Sequence, residues 1–258
     1  MQIVACQTDI VWEDKPANHE RVADMLRDVA IDRGALVILP EMFAVGFSMN
    51  AEALAENHEG PTHTFLRELA QEKQVFVFGG VVTRTSGTGC RNEAVVFGPE
   101  GQVVARYAKT HPFTLAGEND AYEAGSDVTT FSWGEFTVAP FICYDLRFPE
   151  VFRRAVRRGA DLMVVVASWP QVRQAHWAAL LRARAIENQC YVVGVNRVGT
   201  DPNTSYAGGS VVVAFDGETL AEADDGAQVL VAEIERGPLV EFRQKLPFLA
   251  DIREEFVP

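Results

Sequence analysis

A chain of 258 residues is long enough for one large α/β domain or two small ones, and 48 % hydrophobic residues fill an ordinary globular core. Its 36 acidic against 23 basic side chains leave a formal charge of −13. That charge disfavours nucleic acid and anionic membranes, both of which require basic patches. No apolar run approaches the ~20 residues that cross a bilayer.

The first seven residues, Met1-Gln2-Ile3-Val4-Ala5-Cys6-Gln7, are strand-like, with no basic n-region or long apolar h-region, as expected of a cytoplasmic protein. From Pro16 to Arg33, the apolar residues Val22, Met25, Leu26 and Val29 recur at helical spacing and predict one helix. A strand at 35–39 and a helix at 61–73 follow. Strands at 75–82, 93–98 and 103–107 are separated by the turns Thr85-Ser86-Gly87-Thr88-Gly89 and Gly98-Pro99-Glu100-Gly101, which reads as an antiparallel meander. Strands at 135–142 and 161–167 precede a helix at 173–188, whose stripe holds Trp177, Leu180, Leu181, Arg184 and Ala185. Further strands fall at 190–195, 209–215 and 229–234. Mixed strand directions with helices between them suggest an α/β fold of helices covering two sheets, an α/β/β/α sandwich. Without repeats or linker-like stretches, residues 1–258 are expected to form a single domain. Gly79-Gly80 and Gly208-Gly209 read as tight backbone approaches in strands.

Three strand ends carry chemistry. Val138-Ala139-Pro140-Phe141-Ile142 runs into Cys143, Ala35-Leu36-Val37-Ile38-Leu39-Pro40 into Glu41, and Gln102 to Ala108 into Lys109. A thiol, a carboxylate and an ammonium at such boundaries outline a nucleophilic catalyst. Taken singly, each has a plainer reading: an inert buried thiol, a loop carboxylate, a solvated surface charge. The other cysteines (Cys6, Cys90, Cys190) show no paired or CxxC spacing and read as reduced thiols. Cys6 and Cys190 fall in apolar strand patterns, whereas Cys90 follows a glycine turn and is expected to be exposed. The histidines His19, His58, His63, His111 and His176 offer no ligand spacing, so no metal is expected. No phosphate loop, dinucleotide fingerprint or GxSxG elbow occurs, and Ser168 is the serine that stands out at a strand end. A Cys143–His111 dyad is the alternative, but it leaves Glu41 and Lys109 without a purpose.

Leu39-Pro40-Glu41-Met42-Phe43, Tyr107-Ala108-Lys109-Thr110-His111 and Ile142 to Glu150 resemble, in the same order, the three signature segments of the nitrilase (carbon–nitrogen hydrolase) superfamily. The resemblance continues through Ala183 to Asn188 and Val195 to Gly199. Glu41 to Met49, Trp169-Pro170 and Phe242 to Pro247 look most like its omega-amidase branch. Ser168 departs from that branch, where an Asn before Trp-Pro is usual.

The resemblance implies the four-layer nitrilase fold and a Cys143 nucleophile, with Glu41 as base and Lys109 stabilising thiolate and oxyanion, helped by the Tyr144 backbone N–H. It adds Glu118, orienting Lys109 and sharing proton traffic, and requires no cofactor. Phe43, Phe113 and Trp169 flank the signatures as candidate pocket walls. Asp145, Arg147 and Glu150 are read as an ion-pair network bracing the nucleophile turn. The implied substrate is a small-molecule amide, an omega-amido 2-oxo dicarboxylate such as 2-oxoglutaramate. Deaminated glutathione, an N-carbamoyl amino acid or a nitrile are alternatives, as is a silent binding protein on the same fold. The mixed tail from Phe242 to Pro258 leads, by resemblance, to the expectation of a homodimer.

Overall fold

The structure, a computed structural model, describes residues 1–87 and 89–256. Thr88 of the first glycine turn and Val257 and Pro258 of the tail lie outside the described residues. The chain opens with β1 (Gln2–Gln7), buried from Ile3 onward. Asp14 starts α1 (Lys15–Met25) by accepting the Ala17 N–H with its side chain, and Pro16 suits the first turn. This helix is shorter than its apolar stripe predicts. Arg27 N–H turns back to the Asp24 carbonyl, and Val29 and Ile31 reach the core from non-helical chain.

After β2 (Leu36–Ile38) come α2 (Ala51–Leu54) and α3 (Pro61–Lys73), the latter ended by Gln74 in the left-handed region at φ 55°. The expected meander is β3 (Phe76–Arg84), β4 (Cys90–Phe97) and β5 (Val103–Ala108), paired antiparallel in that order. One helical turn, α4 (Glu118–Ala121), leads to β6 (Phe131–Trp133) and β7 (Phe136–Ile142). Then follow α5 (Pro149–Arg157), β8 (Leu162–Ala167), α6 (Gln174–Asn188) and β9 (Tyr191–Asn196). The rest is β10 (Val198–Thr200), β11 (Ser205–Ala207), β12 (Val211–Val213), β13 (Thr219–Glu222), β14 (Gln228–Glu233) and α7 (Arg236–Lys245).

Among the described residues there are two six-stranded sheets, ordered β14-β1-β2-β3-β4-β5 and β13-β12-β9-β8-β7-β6. Each holds three adjacent parallel strands, β1 to β3 and β7 to β9, flanked by antiparallel ones. Side chains alternate between faces. In the first sheet, Ile3, Ala5, Leu36, Ile38, Ala94 and Val96 join the core shared with the second sheet, and β4 packs across on β7. Their neighbours Val4, Cys6, Val37, Val77 and Val95 meet Val22 of α1, Leu26 just after it, and Leu66 and Leu69 of α3. On the far side Phe152 and Ala155 of α5 and Trp177 and Leu181 of α6 cover the second sheet. The layers are α/β/β/α, as expected.

Gly208 and Gly209 do not sit in strands. They join β11 to β12 with φ of 66° and 70°, and their carbonyls accept Asn196 Nδ2 and Trp177 Nε1 at 2.8 Å each. The tail begins anchored to its own chain, since Arg243 binds Asp161 at 2.8 Å and Phe242 packs on Phe215. No helix among the described residues is long and apolar enough to cross a membrane.

Candidate active site

β7 delivers Cys143 into the left-handed region at φ 45°, where a 3₁₀ turn, Cys143–Arg147, begins. A non-glycine residue pays to sit there, so the surroundings must hold it. Asp145 does so. Its Oδ2 accepts Ile142 N–H at 3.0 Å and the Tyr107 hydroxyl at 2.8 Å, and its Oδ1 accepts the Thr110 hydroxyl at 2.8 Å and His111 N–H at 3.0 Å. The same carboxylate meets His111 Nδ1 at 2.9 Å, and the imidazole stacks on Phe148. His111 is therefore part of the brace under the turn, which removes the motive for a Cys–His dyad. The expected ion-pair network is corrected accordingly. Asp145 pairs with hydroxyls and amides of the Lys109 segment, Glu150 is exposed at the start of α5, and Arg147 turns to the cleft.

Glu41 follows β2, next to Met42 at φ 47°. Its position depends on Gly80, where a Cβ would lie 2.6 Å from both Glu41 Cα and Met42 N. Gly80→Ala should therefore push the Glu41 backbone and lower turnover about 10²-fold, the usual cost of a displaced catalytic group. A Cβ at Gly79 would instead meet the Leu66 side chain at 2.9 Å, so Gly79→Ala should mainly lower Tm. Equal kcat in the two variants would contradict this placement.

Lys109 follows β5 and points its ammonium between two carboxylates, 2.8 Å from Glu41 Oε1 and 2.8 Å from Glu118 Oε2. All three side chains are buried, and Asn92 joins them, donating to Glu41 Oε1 at 2.7 Å and Glu118 Oε1 at 2.9 Å. Ser168 N–H donates to Glu41 Oε2 at 2.8 Å, and Phe113 N–H to Glu118 Oε2 at 2.6 Å. Burial alone would lower the Lys109 pKa, but Glu118, then Glu41 and Cys143, outweigh it and raise it. Burial, then the Glu41 charge, pushes the Cys143 thiol well above its ordinary value, with Lys109 opposing. Cys143 thus sits in the field of a carboxylate and an ammonium that act on its thiol in opposite directions.

Cys143 opens onto a cleft of about 390 Å³. Phe113, Tyr144 and Trp169 line it; Phe43, expected there, sits instead in the core against Phe65, and Phe47 takes the wall, with Lys109 5.2 Å from its ring centre. Arg147 lies over Trp169 at 4.8 Å and Arg173 over Phe113 at 5.5 Å, so aromatic faces hold both guanidinium groups at the cleft. Trp169 N–H donates to Asn196 Oδ1 at 2.7 Å, which fixes the wall. Sequence reasoning missed Asn92, Phe47, Arg173 and Asn196. The signal for the two amides is a polar residue inside, or at the end of, an apolar strand. Among the described residues no group of three His, Cys, Asp or Glu side chains is arranged to hold a metal ion.

The carbon-nitrogen hydrolase model matches residues 2–244. The chain belongs to that family. It is 39 % identical to omega-amidase YafV of Yersinia enterocolitica, over 97 % of this chain and 96 % of the relative. It is 32 % identical to the 2-oxoglutaramate amidase of Bacillus subtilis, over 98 % of each. Among solved structures, XC1258 of Xanthomonas campestris, a CN-hydrolase superfamily protein with an arsenic adduct in its active site, superposes with a TM-score of 0.93 at 36 % identity. That match covers 98 % of this chain and 97 % of XC1258. As a carbon-nitrogen hydrolase, the chain is a hydrolase acting on C–N bonds.

Proposed function

We propose that this enzyme is an amidase that releases ammonia from the terminal amide of a small omega-amido 2-oxo dicarboxylate, such as 2-oxoglutaramate, through a Cys143 thioester. The observation that carries the reading is Cys143 on a cleft that also holds two arginines, in the field of the buried Glu41–Lys109 pair. In the proposed reaction Glu41 takes the thiol proton as sulfur attacks the amide carbon. Lys109 and the Tyr144 backbone N–H, free of intrahelical bonding at the start of its turn, stabilise the oxyanion. Glu41 returns the proton to the departing nitrogen, so ammonia leaves and the thioester remains. Water then gives a proton to Glu41 and its hydroxyl to the carbonyl, and Glu41 returns that proton to the departing Cys143 sulfur, freeing the acid and the thiol. Each step uses groups of the chain and the substrate, and no cofactor enters the balance.

The names of the relatives support the substrate class, and so do the two arginines of the cleft, which outnumber its one carboxylate, Asp201. A protein of net charge −13 repels a dicarboxylate at long range, so the pocket must supply its own cations. Arg147 and Arg173 fit that need. Substrate profiling with ammonia detection tests the reading: kcat/KM should be higher for 2-oxoglutaramate than for a neutral aliphatic amide of equal length or for deaminated glutathione. Arg173→Gln should raise KM for the anion about tenfold, the worth of one charge-assisted hydrogen bond, and leave the neutral amide unaffected. A preference for either competitor would overturn the substrate and keep the chemistry.

The same proposal takes residues 1–258 as one catalytic domain, working in the cytoplasm as a homodimer. The scattered reduced cysteines support the compartment. Phe248 and Phe256, 59 % and 71 % exposed in the tail, support a partner surface.

A further inference from the structure

We propose that Asn92 is a positioning residue that makes Oε2 of Glu41 the atom receiving the Cys143 proton; this rests on the reading of Glu41 as the base. Asn92 lies in β4, 1 % exposed, at strand spacing from Ala94 and Val96 of the inter-sheet core. Its side-chain amide reaches both carboxylates, and its backbone carbonyl accepts the Lys109 N–H at 2.9 Å. One strand residue thus bonds both carboxylates and the backbone of the lysine between them. The amide cannot be turned over without aiming its oxygen at two carboxylates, so its orientation is fixed. That oxygen, Oδ1, is buried and meets no donor among the described residues. An unpaired buried acceptor is unfavourable, and the two charge-assisted bonds on the other side of the amide offset it.

A carboxylate offers about four lone-pair positions. Those of Glu118 are filled by Asn92 and Lys109 on Oε1 and by Lys109 and Phe113 N–H on Oε2. Glu41 Oε1 is filled by Asn92 and Lys109, while Oε2 receives Ser168 N–H and keeps one position. Among the described residues, this position is the open one, and of the two carboxylates Glu41 acts more strongly on the Cys143 thiol. The proton passes from Cys143 Sγ to Oε2 and on to the departing nitrogen. In this assignment Glu118 anchors Lys109 and takes no proton. Without Asn92, Oε1 of both glutamates opens and two sites compete.

The test is Asn92→Leu and Asn92→Asp, both close to asparagine in shape. kcat and KM are measured across pH, together with the rate of Cys143 alkylation by iodoacetamide, which needs no substrate. In Asn92→Leu, kcat should fall about 10²-fold with KM within about threefold, as for an interaction made in the transition state. The acid limbs of both profiles should move up, because a hydrogen bond donated to the carboxylate is lost. Asn92→Asp should be inactive near neutrality and regain part of its rate at acid pH, where its new carboxyl holds a proton to donate. Unshifted acid limbs, whatever the loss in kcat, would overturn the proposal, as would kcat within about threefold of the parent. If Asn92→Leu fails to fold, the acid recovery of Asn92→Asp decides: its absence overturns the assignment. A parent enzyme that hydrolyses no amide would count against the amidase reading instead, and the alkylation profiles would still judge Asn92.

Discussion

Cys143→Ala should abolish ammonia release, to below ~10⁻³ of the parent rate, and leave the fold intact. Four thiols compete for the role, and the structure separates them. Cys6 and Cys190 are fully buried, each pushed up to about 12 by burial, and neither lines the cleft. Cys90, expected exposed, is buried at the head of β4, where burial raises its thiol. Cys143 lines the cleft, next to Glu41 and Lys109. Its removal takes away one sulfur atom and leaves the Asp145 brace, whose donors come from Ile142, Tyr107, Thr110 and His111. Tm should therefore stay within a few degrees while activity disappears. The measurement is an ammonia assay beside mass spectrometry of the trapped acyl-enzyme. Full activity in the variant, or an adduct on Cys6, Cys90 or Cys190, would sink the mechanism.

Much of this was legible because the chemistry stands at strand ends. Apolar runs such as Leu162–Ala167 are buried on both faces and announce their strands directly. β6, β10 and β11, three residues each, lie below the length at which a pattern can show itself. The apolar stripe from Pro16 outruns its helix because Val29 and Ile31 keep packing on the core after the helical backbone has ended. The site divides in the same way. Charges adjoining strands could be read, because a polar residue after an apolar run is conspicuous. Arg147 misled, since its place between Asp145 and Glu150 suggests ion pairs whereas the 3₁₀ turn aims it at Trp169. Phe43 and Phe47 are four residues apart in one loop, and only the path of that loop past Gly80 decides which faces the cleft.

Lys109→Met should cost at least ~10³-fold in turnover and, unlike Cys143→Ala, should also destabilise the protein. Lys109 is 1 % exposed between two carboxylates, so the cluster carries two negative charges against one positive, or −1. Without the ammonium the same cavity holds −2, and leaving buried charges unpaired typically costs about 3–5 kcal/mol. Adding Glu118→Gln returns the buried charge to −1. The double variant should therefore recover part of the lost Tm and none of the lost turnover. Glu41→Gln alone should also lose at least ~10³-fold, and combined with Lys109→Met it should cost little more than either, because the two act on one proton and one oxyanion. Thermal melts and single-turnover ammonia release on the four variants separate these effects. Near-parental turnover in Lys109→Met would mean that the oxyanion is held some other way. A double variant no more stable than Lys109→Met would show that packing around the methylene stem, rather than charge, sets the stability of this cluster.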